Sequence, residues 1–246
     1  MLKKTILGGV MSIFLAANVG AAELTVSAAA SLKNAFDEIA SLFEKDNPGT
    51  KVNLNYAASN PLLRQIIEGA PVDVFASADQ ATMDQAAEAK VIKPETRRDF
   101  ATNDLVLIVP KGSKPLAALD DLRDLERIAI GNPDSVPAGR YAKAALERAG
   151  LWEALSPKYV QGTNVRQVLD YIARGEADAG FVYKTDALQQ KDKVEIVMTI
   201  DGGEKVSYPI AVTETGGSPE LAAKFADFVL SPTGQGILAK YGFSKS

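Results

Sequence analysis

Two serines stand where a protein can build a place for an anion. In Leu24-Thr-Val-Ser-Ala-Ala-Ala-Ser31, and again in Val52-Asn-Leu-Asn-Tyr-Ala-Ala-Ser59, a β-like apolar run passes through small residues into a serine that opens an amphipathic helical pattern. A serine there can aim its hydroxyl at a ligand, and the first backbone N–H groups of the helix, which have no intrahelical acceptor, point the same way. The alanines before it let the ligand come close. Either serine alone reads as an ordinary N-cap. Two of them, each ending a strand and each preceded by Ala-Ala, read as parts of one shared site, because ligands in open α/β sheets sit beyond the carboxyl ends of strands. Asn60-Pro61 follows Ser59, so that helix start has one donor fewer, with the amides of Ser59 and Asn60 retained.

Two further helix starts have the same character. Val136-Pro-Ala-Gly139 follows the strand-like Ile128–Ile130 and the turn Asn132-Pro-Asp. Proline in a first helical turn is sufficient as structure, yet it leaves the N–H of Ala138 exposed with only a methyl beside it. Thr163-Asn164-Val165 opens another helix, with Asn164 as its cap. Tyr183 ends the run Gly180-Phe-Val-Tyr183, where a phenol needs a hydrogen-bond partner whether it faces the core or a ligand.

Other chemistry is removed by what is missing. The chain has no histidine and no cysteine, which takes away the commonest general base, the commonest transition-metal ligand, disulfides and thiol catalysis. Gly-x-Ser-x-Gly, Ser-x-x-Lys and phosphate-loop patterns are absent. Gly234-Gln-Gly236 loosely fits a dinucleotide fingerprint but lies inside a helical pattern with no strand before it. The acidic pairs Asp37-Glu38 and Asp120-Asp121 read as solvated or capping charges, not as metal ligands.

The elements that must position these residues alternate as short β-branched runs and helical patterns, the mark of βαβ units and largely parallel sheets. Strands are expected at Leu24–Ala28, Val52–Tyr56, Val72–Phe75, Leu105–Val109, Ile128–Ile130, Ala179–Tyr183, Val194–Met198 and Tyr208–Val212. The first helix is marked by Leu32, Ala35, Phe36, Ile39, Leu42 and Phe43 and is stopped by Asn47-Pro48-Gly49; others start near Pro61, Asp79, Pro137, Asn164, Pro219 and Pro232. With 246 residues, 46% of them hydrophobic, the chain can fill one large or two modest cores. No repeat or flexible linker divides it. Two lobes would be joined by strand-like crossovers, at Asp99–Asp104 and at the turn Asp201–Lys205. Lobe one is then discontinuous, residues 23–103 and 206–246, lobe two is 104–205, and the ligand cleft lies between them.

Residues 1–22 read as a secretory signal. Lys3 and Lys4 precede the apolar run Ile6–Ala17, and Val19-Gly-Ala-Ala22 supplies small residues for cleavage after Ala21 or Ala22. Removing the two lysines takes the net charge from -4 to -6, and an acidic chain without a basic tract is a poor partner for nucleic acid. A membrane partner would be a separate chain.

Several stretches together are specific: Ser27-Ala-Ala-Ala-Ser-Leu32, Tyr56-Ala-Ala-Ser-Asn60, Gly69-Ala-Pro-Val-Asp-Val-Phe-Ala-Ser-Ala78, Asn132-Pro-Asp-Ser-Val-Pro-Ala-Gly139, Asn164-Val-Arg166, Gly180-Phe-Val-Tyr183 and Ser231-Pro-Thr-Gly-Gln-Gly-Ile-Leu238. By these the chain resembles, over essentially its whole mature length, the periplasmic molybdate-binding proteins of ABC importers, the ModA type. The resemblance implies an α/β, class II periplasmic solute-binding fold: two α/β lobes, two crossover strands, and a cleft that closes on a tetrahedral oxyanion. It implies a monomer that hands molybdate or tungstate to an ABC membrane permease, with no cofactor and no metal bound as a bare cation. The family's ligand positions fall on Ser31, Ser59, Ala138, Val165 and Tyr183. Asn60-Pro61 is a departure, since relatives often carry small hydroxyl or glycine residues there. The rival readings are another oxyanion, such as sulfate or phosphate, and a secreted serine hydrolase, which the missing base disfavours.

Overall fold

Leu24 and Val26 are buried while Glu23 is exposed, and from Val26 onward every residue of the first strand is buried, as a strand flanked on both sides in a covered sheet must be. The structure, a computed structural model, describes residues 22–201 and 203–246; the expected signal segment, apart from Ala22, lies outside the described residues. In chain order the strands are β1 (Ala22–Ala29), β2 (Thr50–Ala57), β3 (Val74–Ala76), β4 (Arg98–Asn103), β5 (Leu105–Pro110), β6 (Ile128–Gly131), β7 (Tyr159–Gly162), β8 (Ala179–Tyr183), β9 (Val194–Ile200) and β10 (Val206–Val212). The helices are α1 (Lys33–Asp46), α2 (Ser59–Ile67), α3 (Gln80–Glu88), α4 (Pro137–Arg148), α5 (Trp152–Leu155), α6 (Val165–Ala173), α7 (Lys184–Gln189), α8 (Pro219–Leu230) and α9 (Pro232–Lys240).

The strands form two five-stranded sheets, β2-β1-β3-β10-β4 in lobe one and β7-β6-β8-β5-β9 in lobe two. The expectation of largely parallel sheets is corrected: four pairings are parallel and four antiparallel. The reason lies in the crossings. Strands wound through βαβ units end at the cleft, whereas β5 and β10 carry the chain into a lobe and therefore run away from it. Each must pair antiparallel with its neighbours. Between β4 and β5 stands Asp104 alone, so the passage between lobes is almost one continuous strand.

Two strands lie outside the eight expected runs, one of them at the crossover that the sequence already reads as strand-like. The segment assigned to the first crossover is itself β4, paired along β10 from Asn103↔Val206 to Arg98↔Ile210. As an edge strand of sequence Arg-Asp-Phe-Ala-Thr-Asn it lacks an apolar run. The short edge strand β7, Tyr-Val-Gln-Gly, is equally quiet. The third strand also begins later than expected, at Val74 instead of Val72.

Each lobe has a core beneath its sheet. In lobe one, Phe36 and Phe43 of α1 meet Phe225 of α8 with centroids 6.1 and 5.2 Å apart and rings edge to face. Each such ring, fully buried, contributes about 1.5–3 kcal/mol of apolar burial. Asn47 ends α1 as expected, its N–H donating to the carbonyl of Phe43, and Gly49 turns the chain at φ 86° into β2. In lobe two, α4 and α6 cover β6 and β8 with Ala142, Leu146, Val168 and Ile172, all fully buried.

Close approach at the cleft depends on Gly139. A Cβ there would lie 2.1 Å from the carbonyl oxygen of Gly131 at the end of β6. Gly234, half of the loose dinucleotide pattern, is also a packing glycine, because a Cβ would lie 2.3 Å from the carbonyl oxygen of Phe228 where α9 follows α8.

Two arginines tie the lobes together. Arg140 of α4 reaches into lobe one, where it donates to Asp79 through Nε at 2.9 Å and again through Nη2, and to Asn60 Oδ1 and Thr82 Oγ1 at 2.9 Å each. Arg166 of α6 pairs with Asp186 in its own lobe and donates to Asn34 Oδ1 at 2.7 Å and to the Ser31 carbonyl at 3.3 Å across the cleft. Asn60 thus has a structural use: its side-chain oxygen accepts from both Arg140 and Thr82.

Gly139→Ala is expected to cost about 1–3 kcal/mol through overpacking against Gly131. Gly236→Ala, on the exposed face of α9 with nothing within 4 Å of the added Cβ, should be neutral or stabilising by up to about 1 kcal/mol. Denaturant unfolding of the two variants tests this; equal midpoints would remove the close-approach argument. Arg140→Ala is expected to weaken lobe closure by about 1.5–3 kcal/mol. Small-angle X-ray scattering of the ligand-free variant should give a larger radius of gyration than wild type, and an unchanged radius would deny the arginine this role.

Candidate functional site

The serines do not cap their own helices. Ser31 lies in a short 3-10 turn, Ala30–Leu32, between β1 and α1, and Ser59 is the first residue of α2 with Ala58 at the N-cap. Neither helix start has a side-chain cap, so both hydroxyls are available elsewhere. Ser59 Oγ accepts from the Ala78 N–H at 3.0 Å, and Ser31 Oγ lies 3.0 Å from the Tyr208 phenol oxygen.

From lobe two come two helix starts. Pro137 opens α4, making Ala138 its second residue, and Val165 opens α6 behind Asn164, whose side chain accepts from the Gln167 N–H at 3.1 Å. Both Ala138 and Val165 therefore carry amides with no intrahelical acceptor. Tyr183 ends β8, and its hydroxyl donates to the Ala78 carbonyl in lobe one at 3.4 Å, a long bond that is easily given up.

All five residues line one small cavity between the lobes. Its walls are Ala29 to Ser31, Ala58 and Ser59, and Ala78 on one side, with Val136 to Ala138, Val165 and Tyr183 on the other. None of the five is more than 4% exposed. A larger groove, about 1410 Å³ of partly open space, runs along lobe two past Lys114, Leu116, Asp121 and Asp178. Size does not make it the better candidate for an anion, because its lining sets four carboxylates, Asp121, Asp124, Glu126 and Asp178, against one lysine, and two of them serve backbone amides: Asp121 accepts from the N–H groups of Ala117 and Ala118, and Asp178 from those of Glu126 and Arg127.

The cavity lining carries no formal charge. Arg140 and Arg166 stand just behind it, each held by a carboxylate. Burial pushes the phenols of Tyr183 and Tyr208 well above their usual range, so both stay protonated. Burial also raises the Asp186 carboxyl, against the opposing pull of Arg166, and its second oxygen has no hydrogen-bond partner. The arrangement offers hydroxyl and amide donors to an anion at a nearly buried position. Among the described residues no carboxylate or amine is within hydrogen-bond reach of either serine hydroxyl, so neither is set up as a nucleophile.

Sequence reasoning did not find Tyr208, Asn103, Arg140 or Asp79 as contributors. Tyr208 is separated from Ser31 by 177 positions, and a tyrosine in an apolar strand carries no signal of such a partner. Arg166 did fall within a quoted motif, though without a role. The acidic pairs behave as expected: Asp37 pairs with Lys33, Glu38 with Lys240, Asp120 with Arg123, and Asp121 caps its turn.

Comparison with known proteins agrees with this layout. The family model for "Bacterial extracellular solute-binding protein" matches residues 24–244. The chain is 41% identical to the molybdate-binding protein ModA of Escherichia coli strain K12, over 96% of this chain and 95% of that one. The solved periplasmic molybdate-binding protein of Azotobacter vinelandii superposes with a TM-score of 0.79 at 25% identity, covering 91% of this chain and 99% of that one. The sulfate-binding protein SubI of Mycobacterium tuberculosis H37Rv shares the fold, with a TM-score of 0.79 at 18% identity over 91% of this chain and 87% of its own. From the match along nearly its full length, the chain belongs to the bacterial extracellular solute-binding proteins and, within them, to the ModA family.

Proposed function

We propose that this protein captures molybdate, and tungstate as a second cargo, in the periplasm and delivers it to the membrane permease of an ABC importer. As a solute-binding protein it is not an enzyme, and the cargo leaves unchanged. The observation that carries the reading is the convergence of five donor residues, Ser31, Ser59, Ala138, Val165 and Tyr183, on one enclosed cavity of small side chains with no cation in its wall. Those donors are taken to be the ligand set. The lobes are taken as 23–103 with 206–246 and 104–205, a division supported by the membership of the two sheets. Export by the segment 1–22 and a monomeric state complete the proposal.

A donor-only wall fits a cargo that must be released. Each hydrogen bond to a charged group is worth about 1.5–3 kcal/mol net, so five of them offset the desolvation of a dianion without a fixed ion pair. The helix starts at Ala138 and Val165 add partial positive charge. An oxyanion without a proton suits such a wall best, because a protonated oxygen facing a donor leaves both hydrogens unsatisfied. Hydrogen phosphate is thereby disfavoured. Sulfate, which is fully deprotonated, must be turned away by size, and tungstate matches molybdate in both respects. Lobe closure favoured by the ligand presents the surface a permease can recognise.

Calorimetric titration with molybdate, tungstate, sulfate and phosphate is the direct test, and tighter binding of sulfate or phosphate than molybdate would overturn the assignment. Molybdate at a hundredfold over its dissociation constant should stabilise the fold by about 2.7 kcal/mol in thermal or chemical unfolding, and a chelator should change nothing. Ser59→Ala and Tyr183→Phe should each weaken binding about ten- to hundredfold. Val165→Ala should bind nearly as wild type, since the amide survives. Val165→Pro deletes that amide at a first helical position where proline is tolerated, and Asn164 before it is already extended at φ -160°, ψ 169°. A folded Val165→Pro protein that bound molybdate as tightly as Val165→Ala would remove the amide from the site.

A further inference from the structure

We infer that Asn103 and Tyr208, which stand behind the cavity and do not line it, fix the Ser31 hydroxyl as a donor toward the anion. The inference rests on the molybdate reading and extends it from which groups line the site to which way their hydrogens point.

The direction is set by a group that can only donate. The backbone N–H of Asp104 donates to Asn103 Oδ1 at 3.0 Å, which fixes the orientation of the Asn103 amide. Its nitrogen, which can only donate, then faces Thr185 Oγ1 at 2.8 Å and Tyr208 Oη at 3.2 Å. Tyr208 Oη is therefore an acceptor from Asn103, and its own proton must go elsewhere. Among the described residues the remaining partner is Ser31 Oγ at 3.0 Å. Were Ser31 to donate to Tyr208 instead, the phenol proton of a fully buried residue would be left among the rings of Phe100, Tyr183 and Phe243, whose centroids lie 5.4–6.2 Å from its own. A buried donor without an acceptor is strongly disfavoured. Burial keeps that phenol protonated, so the proton is always there to give.

The Ser31 oxygen thus receives a hydrogen bond from behind, and its own proton is free for the cavity. Ser59 reaches the same condition by a shorter route, because its oxygen accepts from the Ala78 backbone N–H. One serine is set by a backbone donor directly, the other through a relay of two side chains that begins at Asp104, in the passage between the lobes. Tyr208 and Asn103 are positioning residues: they act on the anion only through Ser31.

The test is a double-mutant cycle in the full-length mature protein, read by calorimetric titration with molybdate and with phosphate. Tyr208→Phe removes the relay while keeping the ring, and should weaken molybdate binding about tenfold. In a Ser31→Ala background the same substitution should change molybdate affinity less than about twofold, because there is no hydroxyl left to orient. With Ser31 free to rotate and accept, Tyr208→Phe should also lower the ratio of molybdate to phosphate affinity, which a general loosening of the fold would not do selectively. Additive losses in the double variant, or wild-type affinity in Tyr208→Phe, would overturn the relay alone. Wild-type protein that binds no molybdate would overturn the ligand assignment and the relay with it.

Discussion

Polar hydrogens buried away from water are what this fold has to manage. Amides at Ala138 and Val165 and hydroxyls at Ser31, Ser59 and Tyr183 surround a cavity whose lining is otherwise alanine, valine and proline. Such groups are costly to bury unpaired, so a single rigid domain holding all of them would be destabilised whenever the cavity was vacant. Dividing them between two lobes avoids this. Separated, each set can face water; brought together, they offer their hydrogens to the anion proposed above.

The topology follows from that division. Winding each lobe through βαβ units puts strand ends and helix starts at the cleft, where backbone donors collect. The chain must still pass from one lobe to the other and return, and the strands that enter each lobe run against the rest. That is why β5 and β10 sit inside otherwise parallel sheets. The latch residues are neighbours of the donors in sequence: Arg140 follows Ala138 by two positions, Arg166 follows Val165, and Asn60 follows Ser59. The contacts that latch the lobes and the donors that face the cavity are consequently carried by neighbouring residues, so a ligand that prefers the assembled state would favour the latched one.

Positive charge is close to the cavity but withheld from it. Arg140 and Arg166 are each committed to a carboxylate behind the wall, Asp79 and Asp186. An arginine exposed in the wall would pair with any anion, the abundant ones included. In the proposed reading, neutral donors discriminate by proton count and by size, at the cost of needing a closely fitted enclosure. The glycine at position 139, which lets α4 approach the end of β6, is part of that fit.

Much of this was legible in the sequence. The strand-to-serine runs, the proline and asparagine that open α4 and α6, and the tyrosine ending β8 are local signals, because a helix start, a small residue and a strand end are properties of a few neighbouring residues. Apolar periodicity likewise marked eight of the ten strands. What it could not mark were β4 and β7, edge strands defined by a partner and not by their own composition. Nor could it yield the mixed direction of the sheets, which is set by how the chain enters and leaves each lobe. The hydrogen bonds that reach the site from distant residues were also decided only in three dimensions. Ser31 meets Tyr208 across 177 residues, and Arg140 meets Asp79 across 61. A hydroxyl becomes a donor or an acceptor through the partner that reaches it, and the partner is chosen by packing. The sequence by itself determined which groups could hold an anion; tertiary structure decided that they face one another, because packing chooses the partners that reach them.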